Sequence, residues 1–312
     1  MLKMLNPVDE IFQTTLLNNV NFSGIALHNG LTSNLKIIPA PANTGITFIR
    51  TDLDNQSNLI HANFNNVSEA KLCTKLTNDF NVSVSTVEHL MAAFMGYGID
   101  NARVEIDGPE TPILDGSSVS YINAFKRCGV KILPEKRKFI NILKKVIVNQ
   151  DDKFISIEPS EGLEINMEID HDCESIKNQK FKFYLEGSSF ENQIASARTY
   201  GFKEQATIMR KQGLALGASV NNALVFHNNK IISKEGLRYS DEPVRHKILD
   251  CIGDIFISGF RIKGKIYAYK TGHELNNKLM HAIFNNPQNW NKSEVSEFTE
   301  KRMENEPIAA LA

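Results

Sequence analysis

Along the first third of the chain, apolar and polar residues alternate. VNFSGIALHNG, SNLKIIPAPANTGITFIRTD and KLCTKLTND are rich in β-branched residues and broken by Gly, Pro and Asn, the pattern of short strands joined by turns. The period changes at VEHLMAAFMGYG. Ser85 or Thr86 is placed to cap a helix from Val87 to about Tyr97, and Gly96 and Gly98 mark its end. A strand, NARVEI, and a turn, DGPE, then lead to a second helix from Ser118 to Cys128.

The run VKILPEKRKF, with its proline and basic cluster, reads as a linker. Beyond it the style repeats: strands INILKKVIV, KFISIEP and GLEINMEID, a long middle segment, and a helix from Pro243 to about Ser258. A strand, KGKIYAYK, and a last helix, HELNNKLMHAIFNN, follow. Neither half shows strict βαβ alternation, so the expected class is α+β in two similar layers rather than a doubly wound sheet. The expected domains are residues 1–135 and 136–312.

Composition narrows the function. With 35 Lys+Arg against 36 Asp+Glu in 312 residues, bulk positive charge for gripping a phosphate backbone is absent, so nucleic acid is not the expected partner. Cys73, Cys128, Cys173 and Cys251 form no CxxC pair, which argues against a disulfide framework or a Cys-rich zinc site. The start, MLKMLNPVDEIF, lacks a basic segment followed by an apolar run, and no stretch reaches the length of a membrane helix. A cytoplasmic monomer without membrane insertion is the expectation.

Candidate chemistry concentrates at three places. In SDEPVRHKILDCIGDIFISG, Asp241 is placed to cap a helix with Pro243 in its first turn. Val244, Ile248, Cys251, Ile252 and Ile255 share one face, and His246, Asp250 and Asp254 the opposite one. His246 and Asp250, four apart, can reach a single metal ion; the same stripe is equally a solvated polar face. Gly253 and Ile257 interrupt it as if something packs close. Glu88 and His89 head an otherwise apolar helix, where a buried carboxylate needs a partner or cation. They point about 100° apart, so one can bind an ion while the other handles a water. His273 follows a glycine where a strand meets a helix. His61, His171, His227 and His281 read as surface residues, and His28 lies in a hairpin-like turn. Two imidazoles and a carboxylate describe an open zinc site, and also the facial triad of an iron oxygenase. A partner-binding face with a structural metal is the non-enzymatic alternative.

The pieces TVEHLMAAFMGYGIDN, PILDGSS, SARTYGF, GLALGAS, GLRYSDEPVRHKILDCIGD and YKTGHELNNKL, in this order, resemble the UDP-3-O-acyl-N-acetylglucosamine deacetylases of lipid A synthesis. The resemblance runs from about residue 24 to Asn277 and is loose before residue 24 and over 139–190. It implies two similar α+β domains, each a sheet packed on helices, with the active site between them. It implies His89, His246 and Asp250 as ligands of one zinc ion, with iron(II) as the alternative. Glu88 would be the general base and His273 the general acid, oriented by Asp254. Thr199 and Lys247 would face the developing oxyanion. The segment from about 199 to 217 would line a passage for the acyl chain, with Ile208, Met209 and Leu214 as its apolar residues. Tyr200 stands where many relatives have Phe. Lys270, three residues before His273, is placed to reach a phosphate or hydroxyl of the acylated UDP-GlcNAc substrate and reads equally as an exposed strand lysine. The tail NEPIAALA ends in small apolar residues, an end that a regulatory protease could grip at Leu311 and Ala312.

Overall fold

Alternation becomes sheet in both halves. In the computed structural model, which describes residues 11–53, 57–233 and 235–294, Thr32–Pro39 buries every second residue (Ser33, Leu35, Ile37) and Leu163–Ile169 does likewise. The first half builds a five-stranded sheet in the order Val20–Ile25, Thr32–Pro39, Ala102–Ile106, Ile46–Arg50, Leu59–His61. Its central pair, Ile46–Arg50 with Ala102–Ile106, is parallel, and the remaining pairs are antiparallel.

The second half builds a seven-stranded sheet around Arg261–Tyr269. That strand is antiparallel to Lys153–Glu158 and parallel to both Lys138–Ile142 and Leu163–Ile169. Mixed sheets with helices between strand runs are the expected α+β class.

Six helices are described: α1 (Glu88–Tyr97), α2 (Val119–Cys128), α3 (Ser189–Gln193), α4 (Lys203–Lys211), α5 (Glu242–Phe256) and α6 (His273–Phe284). The short α3 and α4 lie in the middle segment, where no helix was expected. α1 and α5 carry apolar residues on most sides and are buried along almost their whole length, α1 from the first half against α5 from the second. One continuous core joins the two halves through them. No helix among the described residues is long and apolar enough to cross a membrane, and the four cysteines are free.

Three local expectations are corrected. The expected linker is a strand: Val130–Lys136 pairs antiparallel with Phe12–Leu16, and Pro134 is accommodated because this two-stranded ribbon has open edges. Neither Ser85 nor Thr86 caps α1; Val87 occupies the cap position, and the Thr86 hydroxyl donates to Glu110 Oε1 at 3.0 Å instead. Asp241 does stand at the cap of α5, but its carboxylate accepts from Arg245 Nε at 2.6 Å rather than from the helix backbone.

A charged clamp ties the halves together. Gly98 ends α1 in the left-handed region (φ 93°) and turns the chain so that Asp100 meets two arginines. Arg137 Nε and Arg261 Nε each donate to its carboxylate at 2.8 Å, while Arg137 and Arg261 also donate to the carbonyls of Gly98 and Met95. Burial opposes ionisation of Asp100, but Arg261 and Arg137 outweigh it and hold its carboxyl below the usual range.

The clamp's stability is therefore complete above about pH 4 and is lost as pH falls through the depressed folded value. Asp100→Ala is expected to destabilise the protein by about 3 kcal/mol near pH 7, because it strands two buried guanidinium groups. Urea unfolding should show the difference from wild type narrowing below pH ~4. A pH-independent difference would contradict this account.

Candidate active site

The site is built where α1 and α5 touch. At Gly253 of α5 an added Cβ would lie 2.0 Å from the Glu88 carbonyl oxygen of α1, so only hydrogen fits between the two backbones. This is the close packing that Gly253 signalled in sequence. It brings the first turn of α1, with Glu88 and His89, over the middle of α5, with His246, Asp250 and Asp254, and all five side chains are buried. The solvated-stripe reading of α5 is excluded by that burial. α6 begins at His273, directly after the extended Gly272, and adds the third wall.

His89, His246 and Asp250 form a group that can hold a metal ion, with one donor atom from each lying within 4.8 Å of the others. His89 Nε2 and His246 Nε2 stand 3.5 and 3.3 Å from Asp250 Oδ1. That carboxylate oxygen is buried and has no hydrogen-bond partner among the described residues, an arrangement that costs stability unless a cation fills it. Burial drives the His246 imidazole down to about 3, so it is neutral and offers a lone pair. Its Nδ1 donates to the Ala197 carbonyl at 3.0 Å, which leaves Nε2 as the free donor atom. The donor set fits a divalent metal. Asp250 stays ionised: burial opposes it, but the Lys247 ammonium and the His273 imidazolium hold its carboxyl well below the usual range.

Beside this group lie Glu88 and His273. His273 Nε2 is 3.9 Å from both Glu88 Oε1 and Asp250 Oδ2. Its Nδ1 donates to Asp254 Oδ2 at 2.8 Å, which leaves Nε2 to face Glu88 and the metal group. Burial works against the imidazolium, yet Asp254, Asp250 and Glu88 raise it to about 9. Glu88 moves in the opposite sense to Asp250, since burial outweighs the nearby histidines and raises its carboxyl. Burial and the neighbouring charges thus push these two buried carboxyls in opposite directions.

Other expected residues distribute as follows. Lys247 reaches into the site from α5, its Nζ 2.7 Å from Asp250 Oδ2; Asp250 overrides the effect of burial and holds the ammonium above its usual range. Thr199 is half-buried, and its amide donates to the Gly116 carbonyl at 2.7 Å. Tyr200 lies with its ring against His246 and its hydroxyl 2.9 Å from His171 Nε2, so His171 is a half-buried partner of the site rather than a surface residue. Lys270 stands apart, paired to Asp152 at 2.9 Å and Asp170 at 3.6 Å. Ile208, on α4, is 58% exposed, Met209 is half-buried and Leu214 is half-buried. His28 is buried, and among the described residues neither ring nitrogen is hydrogen-bonded.

Two residues that the sequence did not single out complete the site. Thr74 donates through its hydroxyl to Asp254 Oδ1 at 2.6 Å and through its amide to Glu88 Oε2 at 3.1 Å, so it touches both carboxylates. KLCTKL carries no periodic mark of this. Asn276 donates to Asp254 Oδ2 at 2.8 Å, and its position one turn after His273 is the signal that could have found it.

The family described as UDP-3-O-acyl N-acetylglycosamine deacetylase matches residues 13–285 of the chain. Among curated proteins, the UDP-3-O-acyl-N-acetylglucosamine deacetylase of Mannheimia succiniciproducens is 42% identical over 282 residues, 90% of this chain and 92% of the relative. Those of Citrifermentans bemidjiense (44%, covering 89% and 90%) and Shewanella violacea (40%, covering 90% and 92%) carry the same name.

Gly253→Ala is expected to push α1 away from α5 and destabilise the protein by about 1–3 kcal/mol in urea unfolding, with metal affinity falling alongside. Unchanged stability and metal affinity would show that the two backbones need not meet here.

Proposed function

The chain belongs to the UDP-3-O-acyl N-acetylglycosamine deacetylase family, and from that premise we propose that it hydrolyses the acetamide of UDP-3-O-(3-hydroxyacyl)-N-acetylglucosamine. The products are acetate and the free 2-amino sugar nucleotide, in the committed step of lipid A biosynthesis. The observation that carries this reading is the buried His89, His246 and Asp250 group with Glu88 and His273 beside it.

We read the ion as zinc, one per chain, with iron(II) as the alternative. When bound, a divalent cation supplies Lewis-acid polarisation of the carbonyl and acidifies the attacking water. Glu88 accepts the proton of that water as its oxygen attacks the acetamide carbon; burial raises the proton affinity of its carboxylate. The Thr199 hydroxyl and the Lys247 ammonium, which Asp250 keeps charged, face the oxygen that gains charge. His273 gives its Nε2 proton to the departing nitrogen as the C–N bond breaks, with Asp254 holding Nδ1 so that the ring keeps its aim. Tyr200 and Lys270 take substrate-binding roles in this reading.

The acyl passage is assigned to the segment from about 199 to 217, with Ile208, Met209 and Leu214. Support comes from its docking on the turn at His28, where Leu216 N donates to the His28 carbonyl, and from the exposed apolar side chains Ile25, Leu31, Ile208 and Leu216 in these two segments. The division into domains 1–135 and 136–312 is supported by strand pairing: Val130–Lys136 pairs with Phe12–Leu16, whereas Lys138–Ile142 pairs into the seven-stranded sheet. The same reading takes the enzyme as a cytoplasmic monomer whose level a protease sets through Leu311 and Ala312, a tail outside the described residues.

Acetate release from the acylated UDP-GlcNAc substrate tests the assignment. Glu88→Ala should keep its metal and lose turnover about a thousandfold; loss of metal instead would make Glu88 a ligand. His273→Ala should lower kcat by a similar factor and remove the limb of the pH profile on which the acid gives up its proton. An unaltered profile would count against its role.

A further inference from the structure

A cavity of about 390 Å³ opens on the seam between the halves at the C-terminal end of α5, and no residue of the metal group, nor Glu88 or His273, lines it. Its walls bring together Arg137, Lys138, Arg261 and Lys292, while its one carboxylate is Asp100, already shared by the two arginines. In a chain whose formal net charge is -1, this is a local excess of positive charge. Lys138 approaches Glu294 only at 4.0 Å. The Lys292 ammonium rides over the Phe260 ring at 4.1 Å, with no carboxylate partner among the described residues. Burial, and then the nearby Lys138, lower its pKa, so the two ammonium groups feel each other.

The decisive group is Arg261. It is 6% exposed, and its Nε and Nη1 are satisfied by Asp100 and the Met95 carbonyl, yet among the described residues Nη2 has no hydrogen-bond partner. A buried guanidinium nitrogen without an acceptor costs stability that an anion would recover. The volume falls in the range of small-molecule sites, and Phe256 and Phe260 add apolar wall.

We propose that this seam cavity is a binding site for a small phosphate-type dianion, with Arg261, Lys138 and Lys292 as its cationic donors. Free orthophosphate and the phosphate end of a phosphomonoester share this chemistry. Because the walls come from both halves, occupancy should stiffen their docking.

The test is calorimetric titration of the metal-loaded full-length protein with inorganic phosphate and, separately, with phenyl phosphate, at ionic strength fixed with NaCl. Saturable binding with a raised thermal midpoint is expected, and the tighter of the two ligands identifies the source. Lys138→Ala/Lys292→Ala should weaken binding about tenfold, and Lys292→Gln alone should weaken it measurably. Both variants should release acetate at the wild-type rate, which separates this site from phosphate held in the substrate site. Equal stabilisation by NaCl, or binding undiminished in the double variant, would overturn the proposal.

Discussion

Everything at the site depends on how closely two helix backbones approach. The residue opposite the Glu88 carbonyl is glycine, at Gly253, and the space between is too small for a methyl group. Because α1 belongs to the first half of the chain and α5 to the second, that contact brings His89 to the same point in space as His246 and Asp250. The apolar length of both helices supplies the driving force, since each can be buried only against the other and the sheets beside them. The Asp100 clamp works at the far end of the same pair, holding the turn after α1 to the strand after α5.

Burial then does the chemical tuning. Glu88, Asp250 and Asp254 lie within one dry cluster, and ionising all three would be prohibitive without compensation. The protein compensates unequally. Asp250 has Lys247 and the histidines, Asp254 has hydrogen bonds from Thr74, His273 and Asn276, and Glu88 has the least. Burial raises the Glu88 carboxyl, and the surrounding carboxylates favour the His273 imidazolium. One low-dielectric environment thereby raises one carboxyl, holds another down and favours the imidazolium of His273.

Much of this was legible beforehand, for identifiable reasons. The four-residue spacing of His246 and Asp250, the Glu88–His89 pair on an apolar helix and the glycine at 253 are local patterns that survive folding because helix geometry is regular. The residues missed are those placed by tertiary contact: Thr74 comes from an irregular segment, and α4 is a helix with no buried residue to give it a periodic stripe. The caps misread at Thr86 and Asp241 failed because nearer partners, Glu110 and Arg245, compete for the same side chains. The stretch 130–136 looked like a linker because an edge ribbon tolerates proline and charge, the same features that mark a linker.

The central claim is that one divalent ion, held by side chains from both halves, makes the acetamide cleavable. The most direct measurement is a metal titration of chelator-stripped protein, following bound zinc and acetate release together. The account predicts that activity is absent without metal and returns in proportion to the first equivalent, and that His246→Ala neither binds that equivalent nor recovers. Acetate release that persists in stripped protein, or full recovery by His246→Ala, would contradict it.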